Sequence, residues 1–353
     1  MTPQRGLLTV LMMLILVACA TQSTKPPPVK FTTPVSNDGY LSVPLELRPQ
    51  VAFWRNVYTV WGRGQVAFHD DRYLNLVYEV VTVPGPVDEN STPEQKEWLK
   101  ARYEGLKFNL RELEDKIAVN EPLTPTQQAL AARITASGGP TAIMGASNRL
   151  RSQRGLRERF KHGLEISGRY DVAFRQVFRE AGLPEDLAYL PHVESSFQNH
   201  AASSAGAVGI WQFMPDTARR QGMIVNAAVD ERRDPVASAR GAARYLGNAY
   251  ARLGSWPLAI TSYNHGVNGM ARAQEEFGND IVKIIRGYSG RGFGFASRNF
   301  YTEFLAAREI ARNPQQFFPE GIAYESPPNL DQARLGQTIP ASILATYHNS
   351  DFN

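Results

Sequence analysis

The chain has 353 residues, of which 43% are hydrophobic and 20% are charged, a balance typical of globular proteins. That length suffices for one large domain or two ordinary ones. The net charge of +4 is too small for the basic footprint of a nucleic-acid-binding protein, although it would suit weak attraction to an acidic polymer or surface.

Residues 1–18 have the pattern of a bacterial lipoprotein signal peptide. Arg5 precedes an apolar run that is too short to span a bilayer comfortably, and the run ends in Leu-Val-Ala before Cys19. We expect Cys19 to be lipidated; the alternative is an ordinary signal peptide with an incidental cysteine. Because Cys19 is the only cysteine, no disulfide can form within the chain. By resemblance to the sorting preference of Gram-negative lipoproteins, Ala20 favours the periplasmic face of the outer membrane.

Three segments follow in order. Residues 19–45 are polar and rich in proline, which predicts an extended, lipid-anchored tether. Residues 46–159 are expected to form a helical accessory region, because apolar and aromatic residues recur at helical spacing and Thr124 marks a helix start. Within this region the stretch 64–83 is ambiguous between helix and strand, and the arginine-rich stretch 148–163 is interpreted as a solvated helix face.

Helical signals are sharpest in residues 160–315. Asp234 and Pro235 form a typical N-cap and first-turn pair, and a regular apolar stripe follows them. Strand signals are nearly absent, so we predict an all-α fold with a short irregular or hairpin stretch near 200–213. Residues 316–353 are interpreted as a C-terminal tail.

A lone carboxylate interrupts the helical pattern of this region. Leu183, Leu187 and Leu190 form an apolar stripe, and the next position of the stripe is Glu194. An acid at the edge of an apolar wall is partly desolvated, which raises its pKa and lets it stay protonated near neutral pH. Such an acid can protonate a leaving oxygen. The alternative is an ordinary glutamate that faces water at a helix end.

Two later motifs favour a binding groove. The stretch SSAGAVGIWQFMP contains Gly206 and Gly209, which would let the backbone approach a ligand closely, and Gln212, an amide with both a donor and an acceptor. The aromatic residues beside Gln212 would suit the apolar faces of sugar rings. The stretch ITSYNHG places Tyr263 and Asn264 at a helix end.

Taken in order, these motifs resemble those of the lysozyme-like lytic transglycosylase (SLT) domain, and within it the membrane-bound lytic murein transglycosylase D group. The Glu-Ser signature falls on residues 194–195, and the Ser-x-x-Gly-Ala motif on residues 203–207. The Gly-Leu-Met-Gln motif falls on 209–212 with Trp in place of Met, and Ala-Tyr-Asn falls on 262–264 with Ser in place of Ala. By a looser alignment, the groove tyrosine falls on Tyr301.

The resemblance covers residues 150 to 315 in outline and implies a catalytic domain over 160–315. It implies cleavage of the β-1,4 bond between N-acetylmuramic acid and N-acetylglucosamine in peptidoglycan, with Glu194 as the catalytic acid. The residues that it implies for positioning the sugar are Ser195, Ser203, Gln212, Tyr263, Asn264 and Tyr301. The tail lacks the LysM-like wall-binding repeat that some relatives carry.

Most glycosidases use two carboxylates, but no second acid has a compelling claim in this sequence. Asp216 opens a helix, Asp230 and Glu231 lie beside two arginines, and Asp234 caps a helix. We therefore expect Glu194 to act alone, first as acid and then as base toward the C6 hydroxyl of the sugar. That route leaves a 1,6-anhydro product and consumes no water. A carboxylate facing Glu194 across the groove would contradict it.

Other functions find less support. The stretch 291–298 begins like an RNA-recognition motif, but it ends in Arg298 where an aromatic residue should stand, so we interpret it as a loop beside the groove. The six histidines show no zinc spacing, and we expect no metal, cofactor or nucleic acid. Two alternatives stay open: a goose-type lysozyme-like hydrolase, and a non-catalytic peptidoglycan-binding lipoprotein. The sequence identifies no protein partner.

Overall fold

The computed structural model describes residues 41–328, and within them the protein is mostly helical, as predicted, with one small sheet. The predicted signal peptide, Cys19, most of the tether and the end of the tail lie outside the described residues. The helices are α1 (Arg48–Thr59), α2 (Pro93–Ala118), α3 (Pro125–Gly138), α4 (Arg157–Ser167), α5 (Asp171–Glu180), α6 (Pro191–Glu194), α7 (Pro215–Arg220), α8 (Pro235–Leu253), α9 (Trp256–His265), α10 (Val267–Phe277), α11 (Ile281–Gly287), α12 (Phe295–Arg312) and α13 (Pro314–Phe317). The strands are β1 (Gln65–Asp70), β2 (Val77–Thr82) and β3 (Leu150–Arg154).

The helix boundaries follow the capping signals of the sequence. At the start of α3, the Thr124 side chain accepts a hydrogen bond from the backbone N–H of Gln127, and the Gln127 side chain accepts one from the backbone N–H of Thr124. Asp234 accepts hydrogen bonds from two amides in the first turn of α8, and that helix ends at Gly254 in the left-handed conformation. These ends form locally because each cap satisfies backbone groups that the helix leaves unpaired.

The sheet resolves the ambiguous stretch and corrects one prediction. Strand β1 lies in the centre and pairs antiparallel with β2 and with β3. Residues 148–163 were expected to form a helix face, but Leu150–Arg154 is a strand and the helix begins only at Arg157. The backbone of β3 finds its partners in β1, far away in the chain, so local spacing alone could not indicate this pairing.

Two hydrophobic cores divide the described residues. The smaller core lies between the sheet and helices α2 and α3, and it includes Phe68, Leu110 and Ile134. The larger core joins α1 to the helices from α4 onward, because α1 packs against α12 and α4. The segment before residue 159 is therefore not one packing unit, since its first helix belongs to the main core.

The chain segment that carries Glu194 consists of two short helical pieces. A 3-10 turn at Glu185–Tyr189 is followed by α6, whose first residue is a proline. The predicted stripe residues Leu183, Leu187 and Leu190 are all buried. Helix α6 packs against α12 and α4, which places Glu194 between the main core and the surface. Among residues 41–328, none of the helices combines the length and apolar character that crossing a bilayer requires.

Candidate active site

Glu194 is the last residue of α6, and its side chain is half-buried. Removal from water raises the pKa of its carboxyl from 4.5 to about 8, and the nearby charge of Glu303 acts in the same direction. The group therefore holds its proton near neutral pH, which is the state that an acid catalyst needs.

The backbone around Glu194 is strained. Ser196 and Phe197, which follow it closely, have φ of 52° and 60°, and Gln212 has φ of 48°. For residues other than glycine this conformation costs about 1–3 kcal/mol, and it persists only where the surrounding structure enforces it. Here the buried ring of Phe197 anchors the turn in the main core. Strained backbone at residues 196, 197 and 212 is typical of a functional site.

Ser195 ties α6 to the hairpin stretch rather than facing the groove. Its side chain is 1% exposed, and its hydroxyl donates a hydrogen bond of 2.7 Å to the carbonyl of Ile210. The expectation that Ser195 contacts the sugar is not met in this geometry. Its hydroxyl instead fixes the position of the hairpin stretch relative to Glu194.

Residues 200–213 form the predicted hairpin-like stretch through isolated β-bridges. Ser203 is exposed at its tip, where the Ser203 hydroxyl accepts a hydrogen bond from the Ala207 amide. Gly209 has φ of 82°, and a Cβ at this position would lie 2.0 Å from the carbonyl oxygen of Arg232. Gly209 is thus required by close packing of the chain on itself, not by the approach of a ligand.

The side chain of Gln212 is partly accessible, but its aromatic neighbours are buried. Gln212 is half-buried, and its Nε2 donates to the carbonyl oxygens of Gly209 at 2.8 Å and Ala201 at 3.2 Å. Trp211 and Phe213 are 0% and 3% exposed and pack in the main core. The prediction that these rings face a sugar is wrong, because they are committed to core packing.

Tyr263 and Asn264 lie at the end of α9, as the sequence indicates. The Tyr263 hydroxyl donates a hydrogen bond of 2.9 Å to the carbonyl of Trp211. Burial and the nearby charge of Glu194 hold the pKa of Tyr263 well above its ordinary value. Asn264 is exposed, and its side-chain oxygen accepts a hydrogen bond of 2.7 Å from the Ser297 hydroxyl. Ser297 comes from the stretch that begins like an RNA-recognition motif.

Tyr301 does not line the groove. It is 1% exposed, and its hydroxyl is buried without a hydrogen-bond partner among the described residues. The preceding residue, Phe300, lies nearly parallel to the Tyr263 ring, with centroids 6.4 Å apart. The looser alignment that assigned a sugar contact to Tyr301 is therefore not supported by its position in the core.

The four acids considered as a second carboxylate have other contacts. Asp216 pairs with Arg219, and Asp230 pairs with Arg232. Glu231 accepts a hydrogen bond from the amide of Ile224, and Asp234 caps α8. Each carboxylate has its structural partner in these contacts, in line with the sequence analysis.

A different carboxylate, Glu303, does lie beside Glu194. It projects from α12, is half-buried, and has a pKa raised by burial from 4.5 to about 8, while side-chain hydrogen bonding to Tyr58 opposes that rise. The expectation that Glu194 has no carboxyl neighbour is wrong. A signal was present, because Glu303 is a lone acid in the apolar run FYTEFLAA, the same kind of signal that identified Glu194.

Two cavities adjoin these residues. One of about 230 Å³ lies between α1, β3 and α6, and Trp54, Tyr58, Gln153, Val193, Ser196 and Glu303 are among the residues that line it. A larger one of about 680 Å³ lies where α9 meets α10 and is lined by Tyr245, whose ring packs edge-on against Tyr263. Within residues 41–328, no group of three or more His, Cys, Asp or Glu side chains could hold a metal ion.

Comparison with known proteins identifies the helical domain around Glu194. Residues 173–284 match the family described as the Transglycosylase SLT domain. The chain carries an SLT transglycosylase domain. Over 96 residues it is 38% identical to Membrane-bound lytic murein transglycosylase D of Escherichia coli (strain K12), a match that covers 27% of this chain and 21% of that protein. The match over residues 173–284 agrees with the predicted resemblance to the SLT domain, and the described residues are mostly helical, as predicted.

Two further similarities extend the comparison. Over 104 residues the chain is 33% identical to a protein of Alteromonas sp. (strain M-1) that is named for tributyltin chloride resistance, covering 29% of this chain and 50% of that protein. The X-ray structure of an inactive mutant of the lytic transglycosylase Slt from Pseudomonas aeruginosa aligns with 56% of this chain and 30% of its own, with a TM-score of 0.37 and 18% identity. The chain spans about a fifth of the length of the Escherichia coli relative and half that of the Alteromonas protein.

Proposed function

We propose that this protein is a peptidoglycan lytic transglycosylase that cleaves the β-1,4 bond between N-acetylmuramic acid and N-acetylglucosamine. The observation that carries the proposal is Glu194, a half-buried carboxyl with a pKa raised to about 8 in the Glu-Ser motif of an SLT domain. A group with that pKa can give up a proton and take one back near neutral pH.

The proposed reaction needs one acid and no water. The Glu194 carboxyl donates its proton to the bridging oxygen, and the bond from that oxygen to C1 of the muramoyl unit breaks. The resulting Glu194 carboxylate then removes the proton of the C6 hydroxyl on the same muramoyl unit. The C6 oxygen bonds to C1, which gives a 1,6-anhydromuramoyl end and returns Glu194 to its protonated form.

The surrounding residues support this reaction by fixing the groove. Tyr263 anchors one wall through the Trp211 carbonyl, while Ser195 anchors the hairpin through the Ile210 carbonyl. We propose that the side-chain amides of Gln212, which is half-buried, and Asn264, which is exposed, position the sugar through hydrogen bonds. Because these contacts exist before substrate binds, little ordering of the protein is needed on binding.

Glu303 favours a second candidate function, a hydrolase of the goose-lysozyme type. A second carboxylate could activate water and give a reducing muramoyl end instead of an anhydro end. The pKa of Glu303 weighs against this alternative, because a carboxyl with a pKa of about 8 is largely protonated near neutral pH and is then a poor base. We therefore prefer the single-acid route.

We propose a periplasmic location with a lipid anchor at Cys19, where the glycan strands of peptidoglycan are the substrates. The support is the lipobox-like sequence before Cys19 and the relative whose name describes it as membrane-bound. Labelling of growing cells with a radioactive fatty acid tests the anchor. Wild-type protein should carry the label, and a Cys19→Ala variant should not.

The decisive experiment is digestion of purified sacculi with the full-length protein, followed by mass spectrometry of the released muropeptides. Anhydro products support the transglycosylase, and products heavier by one water support the hydrolase. A Glu194→Gln variant is the control, because it keeps the shape of the side chain but cannot donate the proton. Release that survives in this variant contradicts the proposed role of Glu194, and no release by the wild-type protein favours the non-catalytic binding lipoprotein.

A further inference from the structure

Glu303 and Tyr58 lie outside the segment 173–284 that matches the SLT domain, yet the fold brings both to Glu194. Helix α12, which carries Glu303, packs against α6, and α1, which carries Tyr58, packs against α12. Glu303 and Tyr58 line the same cavity as Val193 and Ser196, which lie on either side of Glu194 in the chain. A carboxyl and a phenol from distant parts of the chain thus lie together beside the short segment that carries Glu194.

Among the titratable groups around Glu194, Glu303 is the one whose ionisation places a negative charge near it. His192, in the same helix, is buried and has a pKa lowered to about 3, so it is neutral. Tyr263 of α9 has a pKa well above its ordinary value and is also neutral. Arg159 of α4 lies at the cavity, where its side chain is exposed to solvent. Solvent screens an exposed charge more strongly than one that is half-buried.

We propose that Glu303, held by Tyr58, is a positioning carboxyl that extends the protonated range of Glu194 to higher pH, because Glu303 ionises first. This inference rests on the proposed function of Glu194. It also gives α1, which precedes the SLT domain in the chain, a part in the reaction.

The physical basis is that two neighbouring carboxyls do not ionise independently. Ionising one makes ionisation of the other unfavourable, so the pair loses its protons in two separate steps. Hydrogen bonding from Tyr58 stabilises the ionised form of Glu303, so the first proton leaves Glu303. Once Glu303 has ionised at alkaline pH, its charge holds the second proton on Glu194, the group that must donate it.

The inference is tested by titrating the full-length protein labelled with ¹³C at the glutamate side-chain carboxyls, using NMR. The Glu194 signal is assigned by its absence in Glu194→Gln. In Glu303→Gln we expect the Glu194 midpoint to fall by on the order of one pH unit, the size of a repulsion between partly buried charges. Tyr58→Phe should shift the midpoint in the same direction by less, because Glu303 then loses its advantage in ionising first.

The matched control is Glu309→Gln. Glu309 also lies on α12 and also contacts α1, through an ion pair of 2.8 Å with Arg55. This variant should leave the Glu194 midpoint unchanged. Circular dichroism establishes whether each variant is folded. If Glu303→Gln does not fold, the Tyr58→Phe variant provides the test. An unchanged Glu194 midpoint in the folded Glu303 or Tyr58 variant, or an equal shift in Glu309→Gln, overturns the inference.

The titration needs no substrate, so its failure differs from failure of the proposed function. If the wild-type protein releases no muropeptides, the proposed enzyme activity is wrong whatever the NMR result. If it does release them, the alkaline limit of release should move to lower pH in Glu303→Gln and stay in place in Glu309→Gln. A purely structural role of Glu303 would lower activity equally at every pH.

Discussion

Replacing Glu194, the proposed catalytic acid, should stabilise this protein. Glu194 has a pKa of about 8 in the folded protein, compared with an ordinary value of 4.5. Between these two pH values the folded state keeps a proton that the unfolded state has released. The folded state therefore becomes less stable as the pH rises through this window. Gln in place of Glu194 has a similar shape and never ionises, so it removes this penalty.

The magnitude follows from the two pKa values. The difference between them corresponds to about 5 kcal/mol as an upper limit, reached above pH 8. Because the side chain is only half-buried, solvent screening lowers this figure, and we expect about 2–3 kcal/mol at pH 8. Below pH 4.5 both states of the wild-type protein are protonated at this position, so the gain from Glu194→Gln should vanish there.

Urea unfolding of the wild-type and Glu194→Gln proteins, followed by circular dichroism at pH 8 and pH 4.5, measures the effect. Glu185→Gln is a control with the opposite expected effect. Hydrogen bonding from Arg179 lowers the pKa of Glu185. The ionised pair therefore stabilises the fold fully above the ordinary pKa of a glutamate, and this contribution is lost at lower pH. This control should lose stability at pH 8. Equal stability of wild type and Glu194→Gln at pH 8, or a gain that persists undiminished at pH 4.5, refutes the reasoning.

Three further predictions concern activity and the hairpin. Release of muropeptides should fall with a midpoint near pH 8 as Glu194 loses its proton; undiminished release well above pH 9 would contradict a protonated acid. Gly209→Ala should cost at least about 3 kcal/mol in urea unfolding, because its Cβ would collide with the Arg232 carbonyl, whereas Gly206→Ala, with positive φ but open space, should cost about 1 kcal/mol. Equal effects would argue against the collision. Ser195→Ala should lower the free energy of unfolding by about 1–2 kcal/mol, because the buried Ile210 carbonyl loses its hydrogen-bond donor. An unchanged midpoint of urea unfolding would show that this hydrogen bond contributes nothing to stability.

The sequence alone indicated Glu194 as the candidate acid and predicted the helices that surround it. Glu194 was identified because it interrupts the stripe of Leu183, Leu187 and Leu190, and all three leucines are buried. The caps at Thr124 and Asp234 form as predicted. These features depend on residues within a few positions of one another, so local spacing carries enough information to predict them.

Packing shows which residues of the aligned motifs have buried side chains. Ser195 and Tyr301 belong to the motif alignment, but both are 1% exposed. The alignment indicates that such residues belong near the groove, and it does not tell whether a side chain faces the groove or the core. That direction depends on the elements packed against each residue.

Only the tertiary structure shows that Glu303 lies near Glu194 and that α1 brings Tyr58 to the same cavity. Helix α12 is buried around most of its circumference, so no single face of its sequence marks the side on which Glu303 points toward Glu194. Tyr58 precedes Glu303 by more than 200 positions, and β3 pairs with β1 across α2 and α3. Periodicity describes one element at a time, whereas the proton chemistry of Glu194 depends on which charges three packed helices bring together.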